Sequence, residues 1–124
     1  MSAPVRVVLV EDNDTFRQTL EMLFALRDEI KVVGAASTGD AAAAVCRDLK
    51  PDVVLMDYRM PGLNGAEATR AVIDACPGAK VVLLSASVTA EEREEVRAAG
   101  AVGFVTKDED FDRLVSVVCE AGRQ

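Results

Sequence analysis

Five polar residues in this 124-residue chain each follow a short apolar run: Glu11 and Asp12 after residues 5–10, Asp57 after 52–56, Ser85 after 80–84, and Lys107 after 102–105. Two adjacent carboxylates facing a third form a hard oxygen-donor set, suited to an octahedral divalent cation such as Mg²⁺, with Mn²⁺ as an alternative. At about 4 Å and an effective dielectric near 20, each carboxylate pair repels by roughly 4 kcal/mol. Such a cluster is strained unless a cation or the Lys107 ammonium offsets it. Ser85 and Lys107 add a hydroxyl and an ammonium to the same set. The chain has no histidine, which excludes Ser/His/Asp and Cys/His catalysis and most zinc sites.

These residues need a scaffold that brings distant segments to one edge. Apolar runs at 5–10, 30–36, 52–56, 80–84 and 102–105 have the length of strands buried on both faces. Segments of helical period separate them. Phe16, Leu20, Leu23, Phe24 and Arg27 share one face of the first, and Ala42, Val45, Cys46 and Leu49 one face of the second. Residues 64–75, 89–99 and 109–122 supply three more, the last burying Phe111, Leu114, Val115 and Val118. Thr38 begins a helix, Thr89 to Glu92 reads as a capping box, and Pro51 and Gly100 follow helix ends. Alternating strands and helices predict parallel βαβ units in one α/β domain with right-handed crossovers. In such open sheets ligands bind beyond the carboxyl ends of the strands, where all five polar residues fall.

Half the residues are apolar, enough for a single core. Acidic residues outnumber basic ones 21 to 14, for a formal charge of -7, which disfavours direct nucleic-acid binding. Cys46, Cys76 and Cys119 are three scattered thiols with no CxxC pair, a usage that fits a reducing cytosol. No apolar stretch approaches the roughly 18 to 20 residues that cross a bilayer, so a soluble, untargeted cytoplasmic protein is expected. The polar ends, residues 1–4 and 121–124, are too short to be functional tails, leaving an ordered core of about 4–121.

Each site residue also has an ordinary explanation. Glu11 and Asp12 could cap a helix beginning at Asp14, Asp57 could be a turn aspartate before Met60-Pro61-Gly62, Ser85 a strand-end cap and Lys107 a solvated lysine. Independent structural roles, however, would not gather three acids, a hydroxyl and an ammonium on one sheet edge.

Four segments carry a resemblance: Val8-Leu-Val-Glu-Asp12, residues 51–65 (PDVVLMDYRMPGLNG), residues 81–86 (VVLLSA) and residues 99–107 (AGAVGFVTK). They make the chain similar to the receiver domain of two-component response regulators, over nearly its whole length. Residues 30–39 and Asp108, which stands where many receivers have Pro, resemble the NarL/LuxR-type members. The resemblance implies a flavodoxin-like doubly wound five-stranded sheet of order 2-1-3-4-5. It implies that Asp57 accepts a phosphoryl group, that Glu11, Asp12 and Asp57 hold Mg²⁺, and that Ser85 and Lys107 bind the phosphoryl oxygens. The Arg59 backbone carbonyl could complete the metal shell. Ser85 and the aromatic Phe104 would act as the switch, changing the surface around the fourth and fifth helices. Lacking a phenol hydroxyl, Phe104 would do this by ring packing alone.

With no histidine of its own, the chain would receive its phosphoryl group from a histidine kinase or a small phosphodonor, and it would be no enzyme beyond its own phosphorylation and dephosphorylation. NarL/LuxR-type receivers usually precede a helix-turn-helix domain, so a longer transcription regulator is expected; a stand-alone regulator is the alternative. A phosphorylation-dependent homodimer is also expected, through Met22 and Leu26 on helix one and Val117 and Cys119 on helix five. Two competing readings are a receiver-like module that accepts no phosphate and a haloacid-dehalogenase-type phosphatase. The phosphatase needs a second acid two residues after the nucleophile, where this chain has Arg59.

Overall fold

The computed structural model describes residues 3–124; Met1 and Ser2, part of the expected polar N-terminal end, lie outside the described residues. Among the described residues, five strands alternate with five helices: β1 (Val5–Val10), α1 (Asp14–Ala25), β2 (Ile30–Ala36), α2 (Gly39–Leu49), β3 (Val53–Met56), α3 (Gly65–Ala75), β4 (Lys80–Ser85), α4 (Ala90–Ala98), β5 (Gly103–Thr106) and α5 (Phe111–Gly122). All strand pairings are parallel, and the sheet order is β2-β1-β3-β4-β5. This is the expected doubly wound α/β topology.

The strands are apolar throughout because both faces are covered. Val8, Val10, Val54, Met56, Val81 and Leu83 point into one core with α2, α3 and α4. Val7, Leu9, Val53, Leu55, Val82 and Leu84 alternate into a second core with α1 and α5. Each such side chain taken from water to full burial contributes about 1.5–3 kcal/mol, so together they hold the strand ends rigidly. Cys46 and Cys76 lie in the first core and Cys119 in the second; all three are free thiols and buried.

Element boundaries shift from the expectation by one or two residues. The Thr89–Glu92 capping box forms as read, and Asn64 with Glu67 makes a second one at α3. Asn13, rather than Glu11 or Asp12, caps α1, accepting the Phe16 N–H at 2.9 Å and freeing both acids for other work. Helix five begins at Phe111 rather than residue 109, because the Glu109 carboxylate folds back to accept the Thr106 backbone N–H at 2.6 Å. Leu23, expected in the core, is 37% exposed. Of the residues expected on an association surface, Met22 and Leu26 are exposed, but Cys119 is buried and Val117 packs against the second core. The association reading therefore loses its helix-five half: those side chains sit beneath the helix.

Candidate functional site

Parallel pairing places the carboxyl ends of β1, β3, β4 and β5 on one edge, and backbone hydrogen bonds carry the order one residue past the strands. The Glu11 N–H donates to the Ala36 carbonyl (3.0 Å), Asp57 N–H to Val10 (2.9 Å) and Lys107 N–H to Ser85 (3.0 Å). Glu11, Asp57 and Lys107 are thus pinned to neighbouring strands before their side chains are considered. The loop after Asp57 turns back through Gly62, whose φ of +83° suits glycine. It closes where the Gly65 N–H donates to the Tyr58 carbonyl at 2.9 Å. Gly65 is required there for a different reason: a Cβ would lie 2.9 Å from the Tyr58 Cα and 2.6 Å from its ring.

One carboxylate oxygen from each of Glu11, Asp12 and Asp57 lies within 4.8 Å of the others. Glu11 and Asp57 are buried while Asp12 is exposed. The Lys107 ammonium bonds Glu11 Oε1 at 2.7 Å and reaches Asp57 Oδ2 at 3.4 Å. It also lies 4.3 Å from the centre of the Phe16 ring, a favourable place for a cation. Asp57 Oδ1 accepts the Arg59 backbone N–H at 3.4 Å. Both Asp57 contacts are longer than ordinary hydrogen bonds, so neither of its oxygens is tightly committed.

The charges show how the cluster is balanced. Burial alone would push the Lys107 ammonium down, but the hydrogen bond to Glu11 and the Asp57 carboxylate outweigh it and raise its pKa above the ordinary lysine value. Asp12 is raised by partial desolvation and then by its neighbour Glu11, against the lowering effects of a backbone hydrogen bond and, less, of Lys107. Three carboxylates with one ammonium leave a net negative pocket of oxygen donors, the donor set a divalent cation requires.

Ser85 is the last residue of β4 and is buried, with only a long 3.4 Å contact from its hydroxyl to the Ser87 carbonyl. Phe104, on β5 beside Leu83, is half-buried against the first core, with the Arg93 guanidinium 4.7 Å above its ring. Arg59 turns its side chain to Glu92 of α4.

A family model for the response regulator receiver domain matches residues 7–119. The chain belongs to that family. The receiver is 36% identical over 118 residues to the transcriptional regulatory protein LnrK of Bacillus subtilis (strain 168), covering 92% of this chain and 52% of LnrK. It spans about half the length of the curated relatives it matches. The signal receiver domain of the response regulator NarL from Mycobacterium tuberculosis superposes with a TM-score of 0.92, at 34% identity and 98% coverage of both chains. The receiver domain of the sensor histidine kinase PA1611 from Pseudomonas aeruginosa PAO1, described with a magnesium ion coordinated in its active-site cleft, superposes at 0.82 with 26% identity, covering 98% of this receiver and 100% of that chain. Among the described residues, no helix is long and apolar enough to cross a membrane.

Two parts of the receiver's site escape a reading of strand ends. Phe16 reads as a core residue by its period, yet its ring supports Lys107. Arg17, on the same turn, donates to the Glu11 carbonyl at 3.0 Å and fixes the acidic loop from the helix side. The signal available was proximity alone: both residues sit within six positions of Glu11.

Proposed function

We propose that this receiver is the phosphoacceptor switch of a two-component system, with Asp57 as the phosphorylated residue. The observation that carries this reading is the loosely held, buried Asp57 carboxylate beside Lys107 and the oxygens of Glu11 and Asp12. One Asp57 oxygen forms the new O–P bond as the donor's P–N bond breaks, and the donor imidazole keeps that electron pair. The donor must come from outside, as the chain has no histidine; a partner histidine kinase fits that role.

Glu11, Asp12, Asp57 and the Arg59 backbone carbonyl would hold Mg²⁺, as the donor set favours and as the magnesium-bound PA1611 receiver supports; Mn²⁺ would fit the same oxygens. When bound, the ion supplies charge neutralisation on the phosphoryl oxygens. Lys107 turns from Glu11 to a phosphoryl oxygen, and the Ser85 hydroxyl donates to another. The acyl phosphate carries a charge of roughly -1.5 to -2, and Ser85 and Phe104 pass its arrival to the surface of α4 and α5. The chain turns over no external substrate.

Relatives such as LnrK are transcriptional regulators about twice as long, so residues 1–124 serve as the receiver unit of a cytoplasmic transcription regulator, without contacting nucleic acid themselves. The exposed Met22 and Leu26 support phosphate-gated pairing with a second copy. Incubation with acetyl phosphate or phosphoramidate and Mg²⁺ is expected to add one phosphoryl mass to the wild type and none to Asp57→Asn. Labelling that persists in Asp57→Asn refutes the assignment.

A further inference from the structure

The loop that carries Asp57 is tied to α4 by one side-chain oxygen. Glu92 Oε1 accepts the Arg59 guanidinium Nη2–H at 2.9 Å and, on the same atom, the Thr89 backbone N–H at 2.9 Å. Thr89 Oγ1 returns the bond by accepting the Glu92 N–H at 3.0 Å, so this oxygen is half of the α4 capping box. The Arg59 side chain also lies against the buried Tyr58 ring, 5.4 Å from its centre, which keeps it folded across the loop rather than free in solvent.

Other cations near α4 are engaged. Arg93 covers Phe104 and Arg97 pairs with Glu94. Arg59 therefore meets the negative N-terminal half of α4 from outside the helix, two residues from the phosphoacceptor. Its pair with Glu92 is half open to water, with the two side chains 56% and 22% exposed. Pairs of that kind are weak and exchange partners easily. A phosphoryl group on Asp57 would offer the same guanidinium more charge and several acceptor oxygens in a geometry its planar fork can grip.

We propose that Glu92 is a positioning residue that holds the Arg59 guanidinium on α4 in the unphosphorylated receiver, and that the phosphoryl group on Asp57 draws Arg59 away, altering the α4 cap. This inference rests on the phosphoacceptor reading above. It gives Arg59 two alternative partners: while Glu92 holds it, it is withheld from the anion, and once released it strengthens anion binding. The Glu92 carboxylate left behind keeps Thr89 as its sole partner at that oxygen, so the start of α4 registers occupancy of Asp57.

Beryllofluoride binding by the full chain with Mg²⁺ tests the exchange through a double-mutant cycle. Glu92→Gln keeps a capping acceptor but loses the charge that retains Arg59, and should tighten beryllofluoride binding by about two- to fivefold, the range of an exposed ion pair. Arg59→Met should weaken it, and Glu92→Gln added to Arg59→Met should produce no tightening relative to Arg59→Met alone. Equal tightening by Glu92→Gln in both backgrounds would show a simple field effect and overturn the proposal. In amide NMR, beryllofluoride should shift the Thr89 N–H in the wild type but much less in Arg59→Met, while the Lys107 amide responds in both. A Thr89 response as large in Arg59→Met as in the wild type overturns the exchange. Wild-type protein that binds no beryllofluoride overturns the phosphoacceptor reading and this one with it.

Discussion

Replacing Asp57 with Asn removes one charge from the cluster at almost constant shape, and the geometry sets the sign of the effect. The acidic oxygens lie within 4.8 Å of one another and Lys107 lies 3.4 Å from Asp57. At an effective dielectric of about 20, each carboxylate repels Asp57 by about 3.5 kcal/mol and Lys107 attracts it by about 5 kcal/mol. Two repulsions outweigh one attraction, although the exposed Asp12 contributes less than its share because water screens it. The remainder is about 1 kcal/mol against the folded wild type, which for a domain of this size corresponds to about 3–5 °C in melting temperature. In EDTA at pH 7.5, Asp57→Asn should therefore melt higher than the wild type. In Mg²⁺ at a hundred times its Kd, the wild type should gain about 2.7 kcal/mol and the variant less, closing or reversing the gap. Differential scanning calorimetry under both conditions checks the pair of signs. A variant that melts below wild type in EDTA would show that Asp57 is a structural hydrogen-bond acceptor, and the strained-site argument would fail.

The same balance predicts the opposite effect on the other side of the ion pair: Lys107→Met strands the buried Glu11 and Asp57 carboxylates and should lower stability by about 2–4 kcal/mol in urea titrations without metal. The raised pKa of Asp12 means that its contribution is fully present below its ordinary value of 3.8 and is lost as pH rises through the folded value. Metal-free Asp12→Asn should accordingly gain on the wild type as pH climbs across that window, and a stability difference that stays flat from pH 3 to 7 would contradict it. Gly65→Ala should destabilise by about 2–3 kcal/mol, because its new methyl meets the Tyr58 backbone rather than a flexible tip; an unchanged urea midpoint would show that the loop yields.

Strand ends were legible because a sheet buried on both faces leaves an unbroken apolar run, and the first polar residue after it marks the edge. Glu11, Asp57, Ser85 and Lys107 could be placed together for that reason. Their partners were less legible. Which acid Lys107 prefers, Glu11 at 2.7 Å over Asp57 at 3.4 Å, depends on side-chain reach across β1, β3 and β5, with the ammonium also placed 4.3 Å from the Phe16 ring centre. The Arg59–Glu92 pair joins residues 33 positions apart, one in the loop after β3 and the other in the first turn of α4, so no spacing announces it. Leu23 and Cys119 exchanged their expected environments because an apolar stripe drawn at helical period is about one residue wider or narrower than the groove it fills.

The three thiols divide the molecule in an experimentally useful way. Cys46 and Cys76 sit between the sheet and the α2–α3 layer, and Cys119 sits between the sheet and α5. Burial pushes the Cys46 thiol up to about 12 and also raises that of Cys119, so neither presents much thiolate to an alkylating reagent while the domain is closed. Alkylation must wait for opening, and the position of the adduct records which layer lifted. Identical labelling rates at Cys46 and Cys119 would mean that the two helical layers part from the sheet as one cooperative unit. Unequal rates would measure the free energy by which one layer peels away first. The wild-type chain thus carries, without engineering, a reporter on each side of its sheet.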